Sequence, residues 1–296
     1  MIDIAEMIEK TNMMELASKT ANQVALNDEE RDVAAQLDEW AREIGKSGHD
    51  KDHEIAAFIE KTINTELFNA PDYILDDVFD RGSVGEFDDY VARTNPKNTL
   101  RAIEAAKGGN VDRSYIDFTT LTPSWKNRQV ETGLSFVDIR RNGWKTVATL
   151  TDYAMDALKN ALFADVFGAL DTAITLGADN YIANASQTLL PASMDALALY
   201  INDLGQPNAY IIALSKYIQQ ASKFTGFASD GMKDEVYNNG FLGKYDGIPM
   251  RRVSSHATVN NDGSTLLIPD KRVFGIAGKI GALDMRGDVH VYESED

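Results

Sequence analysis

The chain has no cysteine, and only four of its 296 residues are histidines. The lack of cysteine excludes disulfides, thiolate metal sites and cysteine nucleophiles. No apolar run approaches the roughly 20 residues that a membrane-spanning helix needs. The first ten residues, MIDIAEMIEK, carry acids where a signal peptide carries bases. We therefore expect a protein that folds where it is made, away from membranes, and is stabilised by packing and polar contacts.

Basic residues are scarce, since 29 lysines and arginines stand against 46 acids and give a net charge of −17. This balance argues against binding nucleic acid through a dense basic face. The exception is residues 97–145, which carry a net charge of +4, whereas residues 1–66, 67–96 and 146–296 carry −9, −5 and −7. The basic segment is either a solvated loop or an arm that contacts an acidic surface, for example on another copy of this chain.

Helical periodicity marks the first 66 residues. Apolar residues recur at helical spacing in two runs, the first including Ile4, Met7, Ile8, Val33, Leu37, Trp40 and Ile44, and the second Ile55, Phe58, Ile59 and Ile63. Gly45 and the KSGHDKD stretch that follows it separate the runs. The pattern predicts two amphipathic helices joined by a turn.

From Asn110 the composition favours extended structure. Residues 114–120, 134–139 and 144–150 are rich in β-branched and aromatic side chains, which predicts three strands. The first two are joined by LTPSWKNRQVETG, a long connection that holds Trp125, Lys126 and Arg128 in a polar setting. An aromatic residue flanked by cations on such a loop is typical of a contact surface. The alternative is that Trp125 packs back onto the strands.

The longest helical pattern runs from about Thr151 to Ala185, with Thr151 and Asp152 as its N-cap signal and a length of roughly 45 to 50 Å. A helix over 193–204, a buried strand over 209–214 and a helix over 215–224 capped by Ser215 are predicted next. Short strands are predicted within 247–255, 265–269, 272–278 and 289–294. This mixture without a strict βαβ repeat predicts the α+β class.

Motifs for catalysis or cofactor binding are missing from the sequence. There is no GxGxxG after a strand, no P-loop, no GxSxG and no HExxH. His49 and His53 stand four residues apart without a third ligand at motif spacing, so they are interpreted as surface residues. His256 and His290 lie among short strands with no nucleophile motif nearby.

Adjacent acids are a further possible source of chemistry. Asp76 with Asp77, and Asp88 with Asp89, could suggest a hydrolase dyad or a site for a hard metal ion. Neighbouring residues on a helix or strand do not converge on one point, so solvated faces are the better interpretation. We therefore expect no catalytic, cofactor or metal site, and a protein that is not an enzyme.

The order of the predicted elements, and three segments in particular, resemble a known family. The segments are GFLGKYDGIPMRRVSS at 240–255, LIPDKRVFGIAGK at 267–279 and LTDYAMDALKNALF at 150–163. They resemble the major capsid proteins of tailed bacteriophages, which have the Hong Kong phage 97 fold. The resemblance covers about residues 110–296.

The resemblance implies a division of the chain into five parts. An N-terminal helical arm would cover 1–109, an extended β-loop 110–149, and the spine helix of a peripheral domain 150–188. An axial domain would cover 189–264, and strands that return to the peripheral domain 265–296. The extended loop would lie on a neighbouring subunit, with Trp125, Lys126, Arg128, Arg140 and Arg141 in that contact.

The function implied is self-assembly into hexamers and pentamers of an icosahedral head. The shell would enclose double-stranded DNA without sequence-specific binding and without a cofactor. Scaffolding, portal and decoration proteins would be further partners, with assembly in the host cytoplasm and the virion as the final location. Two alternatives stay open: the shell of an encapsulin-like compartment, which would hold a protein cargo, and an enzyme of unknown type.

Overall fold

The computed structural model describes residues 11–47, 51–69, 73–98, 100, 116–133, 135–174, 179–184, 188–205, 208–224, 236, 241–259 and 263–292. Its helices are α1 (Met13–Ala21), α2 (Asp28–Ser47), α3 (Asp52–Asn69), α4 (Tyr73–Val78), α5 (Phe136–Asn142), α6 (Trp144–Ala173), α7 (Pro191–Leu204) and α8 (Ser215–Ala221). Its strands are β1 (Phe79–Val84), β2 (Arg93–Asn98), β3 (Ile116–Leu121), β4 (Tyr210–Leu214), β5 (Lys244–Tyr245), β6 (Ile248–Val253), β7 (Val273–Ile276) and β8 (Gly281–Arg286). The mixed α+β class is confirmed.

The chain separates into two compact units. The larger contains residues 1–80, 128–282 and 289–296, and the smaller contains 81–127 and 283–288. The five-part division implied by the resemblance stays a prediction.

A helical core in the larger unit is built from α1, α2, α3, Ile139 of α5 and the first half of α6. Its centre is aromatic: the ring of Phe58 lies 5.3 Å from that of Trp40 and 5.4 Å from that of Trp144. These rings come from α3, α2 and α6, so one cluster joins three helices. Each large buried ring contributes about 2 to 3 kcal/mol through the area it removes from water.

The N-terminal helices differ from the sequence prediction in their number and in the positions where one helix ends and the next begins. Residues 11–69 form three helices, because the chain leaves the helical path between α1 and α2. A reciprocal cap starts α2 there: Glu30 N donates to Asn27 Oδ1 at 2.7 Å, and Asn27 N donates to Glu30 Oε2 at 2.9 Å. Gly45 does not break the helix but lies buried inside α2, close to Arg140. Ile4, Met7 and Ile8 lie outside the described residues.

The predictions of strands over 134–139 and 144–150 are wrong. The described part of the first segment enters α5, and the second is the start of α6. Ile139, Trp144, Val147 and Ala148 are buried in the helical core at helical spacing. This burial outweighs the β propensity of the threonines and valines. That propensity reflects how well a side chain packs on a sheet and is not an intrinsic preference of the backbone.

Helix α6 begins earlier and ends earlier than the predicted helix. It starts at Trp144, whose backbone N–H donates to Asp38 Oδ1 on α2 at 3.0 Å. The cap thus comes from another helix, and Thr151 and Asp152 are buried in the helix interior rather than at its start. The helix ends at Ala173 instead of Ala185 and is about 45 Å long.

A four-stranded sheet with the order β5-β6-β4-β7 forms a second core in the larger unit. Strand β4 is buried along its whole length, pairs in parallel with β6 and runs antiparallel to β7. Helix α7 approaches β7 so closely that a Cβ on Gly275 would overlap the side chains of Leu197 and Ile201. Phe167 of α6 reaches the same sheet, with its ring 5.4 Å from that of Phe274.

Several predictions for this region are confirmed: the helix at 193–204, the strand at 209–214, and strands within 247–255 and 272–278. The helix at 215–224 is confirmed as α8, but Ser215 does not cap it, since Ser215 Oγ donates to the carbonyl of Val253. Within 265–269 only one bridge forms, between Leu266 and Thr258. The prediction of a strand at 289–294 is wrong for residues 289–292, and Tyr292 is the last described residue. Strand β8 was not predicted.

The smaller unit contains an antiparallel ribbon of β2 and β3, in which Pro96 lies opposite Phe118. The strand predicted at 114–120 is confirmed as β3. A separate two-stranded sheet pairs β1 with β8. Residues 122–133 follow β3 without regular secondary structure and are exposed almost throughout.

Replacing Gly143 with alanine should destabilise the larger unit by about 3 kcal/mol. Gly143 has a φ of +59° and a ψ of −136°, and a Cβ there would overlap the carboxylate of Asp38. Gly205→Ala is a matched control, since Gly205 has the same φ of +59° but no atom near its Cβ position. The control should cost about 1 kcal/mol. Urea unfolding measures both, and equal losses would contradict the role of Asp38.

Candidate intersubunit surface

Trp125, the first residue of the predicted contact, is partly covered by its own chain. Its ring lies edge-on to Tyr90 at 5.6 Å between centroids, and the Arg286 guanidinium lies 5.7 Å from its centroid. Tyr90 in turn donates to Asp284 Oδ2 at 3.3 Å. The indole is nevertheless 39% exposed. The ring is thus partly packed within the smaller unit, and its role in a contact with another subunit stays a prediction.

Arg128 is bound within its own subunit. Its Nε and Nη2 atoms donate to the two carboxylate oxygens of Asp165 on α6, at 2.9 and 2.5 Å. A bidentate pair of this kind is directional and holds the start of the connection to α5 against the long helix. Arg128 is therefore a structural anchor, although its side chain stays half exposed.

Arg140 and Arg141 lie side by side on α5 and have different surroundings. Arg140 donates from Nε to the carbonyl of Gly45, and its own carbonyl accepts from Nη1 of Arg42 at 3.2 Å. Arg42 also bonds Asp38 Oδ2 at 2.7 Å, so these contacts tie α5 to α2. Arg141 is exposed and makes no hydrogen bond or ion pair in the described part of the chain.

The five predicted contact residues are divided between the two units. Trp125 and Lys126 belong to the smaller unit, whereas Arg128, Arg140 and Arg141 belong to the larger. Lys126 and Arg141 are exposed, whereas Arg128 bonds α6 and Arg140 bonds α2. Their joint role in a contact stays a prediction.

An apolar row on β3 is a feature that the sequence analysis missed. Ile116 and Phe118 point to the same face of the strand, because side chains alternate along it. They are 48% and 64% exposed. Phe87 and Val91, also in the smaller unit, are more exposed still. The alternation in SYIDFTT could have indicated this row, but periodicity does not reveal which face is covered.

The histidines and acids considered as chemical sites are mostly exposed where the structure describes them. His49 lies outside the described residues, and His53 and His256 are exposed. Asp88 and Asp89 are exposed in a turn, where Asp88 N donates to the carbonyl of Gly85. Among the described residues, no group of three or more potential metal ligands is found.

The most organised polar cluster lies at the carboxyl ends of β4 and β6, where α/β sheets often bind ligands. Ser215 Oγ accepts from Ser255 N at 3.2 Å, and Ser255 Oγ accepts from Lys216 N at 3.1 Å. Tyr217 donates its hydroxyl proton to Asp270 Oδ1 at 2.8 Å, and Lys216 Nζ lies 2.5 Å from the same oxygen. These bonds hold the turn before β7 onto α8.

The electrostatics of this cluster favour structure over catalysis. The hydrogen bond to Asp270 raises the pKa of Lys216, and the bond from Lys216 lowers the pKa of Asp270. Burial raises the pKa of Tyr217, with the bond to Asp270 acting in the same direction. All three pKa values move away from neutrality, whereas acid–base catalysis works best with a pKa near the operating pH.

An open groove of about 630 Å³ runs along α3 beside the segment 288–292. Asn64 bonds both backbone groups of Val289, at 2.7 and 2.9 Å, and Glu60 Oε2 accepts from Val291 N at 3.0 Å. His290 Nδ1 lies 3.7 Å from Glu60 Oε1. Glu60, the acid that lines the groove, therefore already binds this segment.

No helix in the described part of the chain has both the length and the apolar character needed to cross a bilayer. Comparisons with protein-family models, curated proteins and solved structures return no match. Function is therefore inferred from the sequence and the geometry of this chain.

Proposed function

We propose that this protein is a shell-forming subunit, the major capsid protein of a tailed phage. It assembles with copies of itself into hexamers and pentamers of an icosahedral head that encloses double-stranded DNA without reading its sequence. Assembly takes place in the host cytoplasm and ends in the virion, with scaffolding, portal and decoration proteins as further partners. The order of helices and strands from β3 to β7 and the resemblance of three segments support this assignment.

The observation that carries the proposal is the exposed apolar row of the β2–β3 ribbon. A two-stranded ribbon is marginally stable alone and gains stability when its apolar face is covered. Ile116 and Phe118 leave that face open to solvent in the isolated chain. In a ring of identical subunits, the surface that covers this apolar face belongs to another copy of the same chain.

The charge distribution supports the same proposal. Residues 116–133 fall within the basic segment, and Lys126 is exposed there. A cationic arm lying on a neighbour with a strongly negative net charge gives a head-to-tail contact that electrostatics can orient. In this proposal the contact arm consists of the ribbon and residues 122–133, because residues 136–142 and 144–173 are helical.

Electron microscopy of negatively stained protein, with size-exclusion chromatography of the chain expressed alone, tests the proposal. Closed shells or rings of five or six subunits are expected. Co-purified DNA would favour a phage head, and a co-purified protein cargo would favour the encapsulin-like alternative. A monomer or dimer that persists at high concentration would contradict assembly by this chain alone and favour the enzyme alternative.

Replacing Ile116 and Phe118 together with serine should reduce assembly at least tenfold. The subunit's own free energy of unfolding should change by no more than about 0.5 kcal/mol, because exposed side chains contribute little to it. Leu199→Ser is the control, since Leu199 is as exposed as Phe118 but lies on α7. Light scattering follows assembly, and an unchanged rate in the double variant would contradict the role of the ribbon.

Reversing the charges of Lys126 and Arg141 to glutamate should also weaken assembly, more strongly at low salt than at high salt. Both side chains are exposed, so the reversal should change the subunit's free energy of unfolding by no more than about 1 kcal/mol. Lys223→Glu with Lys244→Glu makes the same change in net charge at exposed positions outside the basic segment. Equal effects of the two double variants would show that only net charge matters.

A further inference from the structure

The groove along α3 has the size and the surface of a binding site. Ala56, Ala57 and Val291 are its apolar lining residues. Because alanine side chains are short, the groove stays open beside the helix. Its volume of about 630 Å³ lies within the range of roughly 300 to 1,000 Å³ that is common for binding pockets.

The two opposite charges that line the groove are not equally available to a partner. Glu60 accepts from Val291 N and lies 3.7 Å from Nδ1 of His290. Lys61 is exposed, and no ion pair to it is found among the described residues. A segment that enters the groove therefore meets a cation that has no partner of its own.

The loop between β1 and β2, residues 85–92, presents apolar side chains to solvent. Phe87 is the most exposed large apolar residue in the described part of the chain, at 93%, and Val91 is 83% exposed. Tyr90, between them, packs its ring edge-on against Trp125 in the smaller unit. The loop is thus held at Tyr90, while Phe87 and Val91 leave apolar surface in water, which is a mark of an interaction site.

Acids accompany the apolar residues of this loop. Asp88 and Asp89 are exposed, and the described residues provide no ion pair to either. The loop therefore combines an aromatic ring with negative charge, whereas the α3 groove combines an apolar lining with the positive charge of Lys61. The two surfaces are complementary in both polarity and sign of charge.

We propose that Phe87 inserts into the α3 groove of a second copy of this chain, with Asp89 close to Lys61 of that copy. The proposal rests on the proposed self-assembly and adds a contact separate from the apolar row on β3. Charge complementarity indicates a second copy as the occupant, since one chain carries both the acidic loop and the groove with its cation. Such a contact joins two different surfaces of identical subunits and closes into a ring when the rotation between them allows it.

Two single variants test the insertion from its two sides. Phe87→Ser removes the ring, and Ala57→Phe fills the groove. Each should raise the concentration needed for association at least tenfold, as measured by analytical ultracentrifugation. Both positions are exposed, so the melting temperature of the subunit should shift by no more than about 3 °C. Ala196→Phe, at an exposed position on α7, is the matched control and should leave association unchanged.

A mixture of the two variants distinguishes a contact between copies from a contact within one chain. The Phe87→Ser subunit keeps an intact groove, and the Ala57→Phe subunit keeps an intact loop. An equimolar mixture should therefore form dimers that neither variant forms alone. If the loop instead fills the groove of its own chain, mixing restores nothing, and the inference is overturned.

An exchange of charges tests the pairing of Asp89 with Lys61. Lys61→Glu should weaken association about threefold, and Asp89→Lys in the same chain should restore it because the two charges have changed places. Lys46→Glu with Asp89→Lys keeps the same net charge but places the new acid at an exposed position on α2, so association should stay weakened. Equal recovery in both double variants would assign the effect to net charge and contradict the pairing.

The failure of this inference is distinguishable from the failure of the proposed function. Normal association of Phe87→Ser and of Ala57→Phe would overturn the inference and leave the proposed function intact. An unmodified chain that does not associate at any concentration would count against both.

Discussion

The burial of helix α6 in two cores is the constraint on which the larger unit depends. Its first half packs Trp144, Val147 and Met155 into the helical core, and Phe167 in its second half meets Phe274 of the sheet. The two cores therefore share one continuous helix. Asp38 sets where the helix begins, and Arg128 fixes the incoming chain to its middle through Asp165.

The sequence pattern predicted a helix or strand correctly where the residues of that element alone determine its structure. The helix at 193–204 and the buried strand at 209–214 have strong periodicity or a continuous apolar run, and both were predicted close to their observed bounds. Residues 144–150 were assigned to the wrong class because their two threonines and one valine suit a strand, while their contacts with α1, α2 and α3 select a helix. The start of α6 was misplaced because its cap comes from Asp38, which is distant in sequence.

The candidate surface could be predicted only in part for a similar reason. The sequence singled out Trp125 and the cations around it, but it could not indicate that Arg128 and Arg140 are engaged within the subunit. The exposure of Phe118 depends on which neighbours the fold supplies. Sequence pattern thus identifies residues capable of contact, and tertiary structure decides which of them remain available.

The contacts between α3 and the segment 288–292 determine which side chains of that segment can change in evolution. Asn64 and Glu60 bond the main chain of Val289 and Val291, and those two valines pack against the helical core. The path of the segment is thus set by backbone geometry and two small apolar side chains. Asp288 before the two valines and Tyr292 after them are exposed and are free of that constraint. The protein can therefore change the outer chemistry of this stretch over evolutionary time while its course along the helix stays the same.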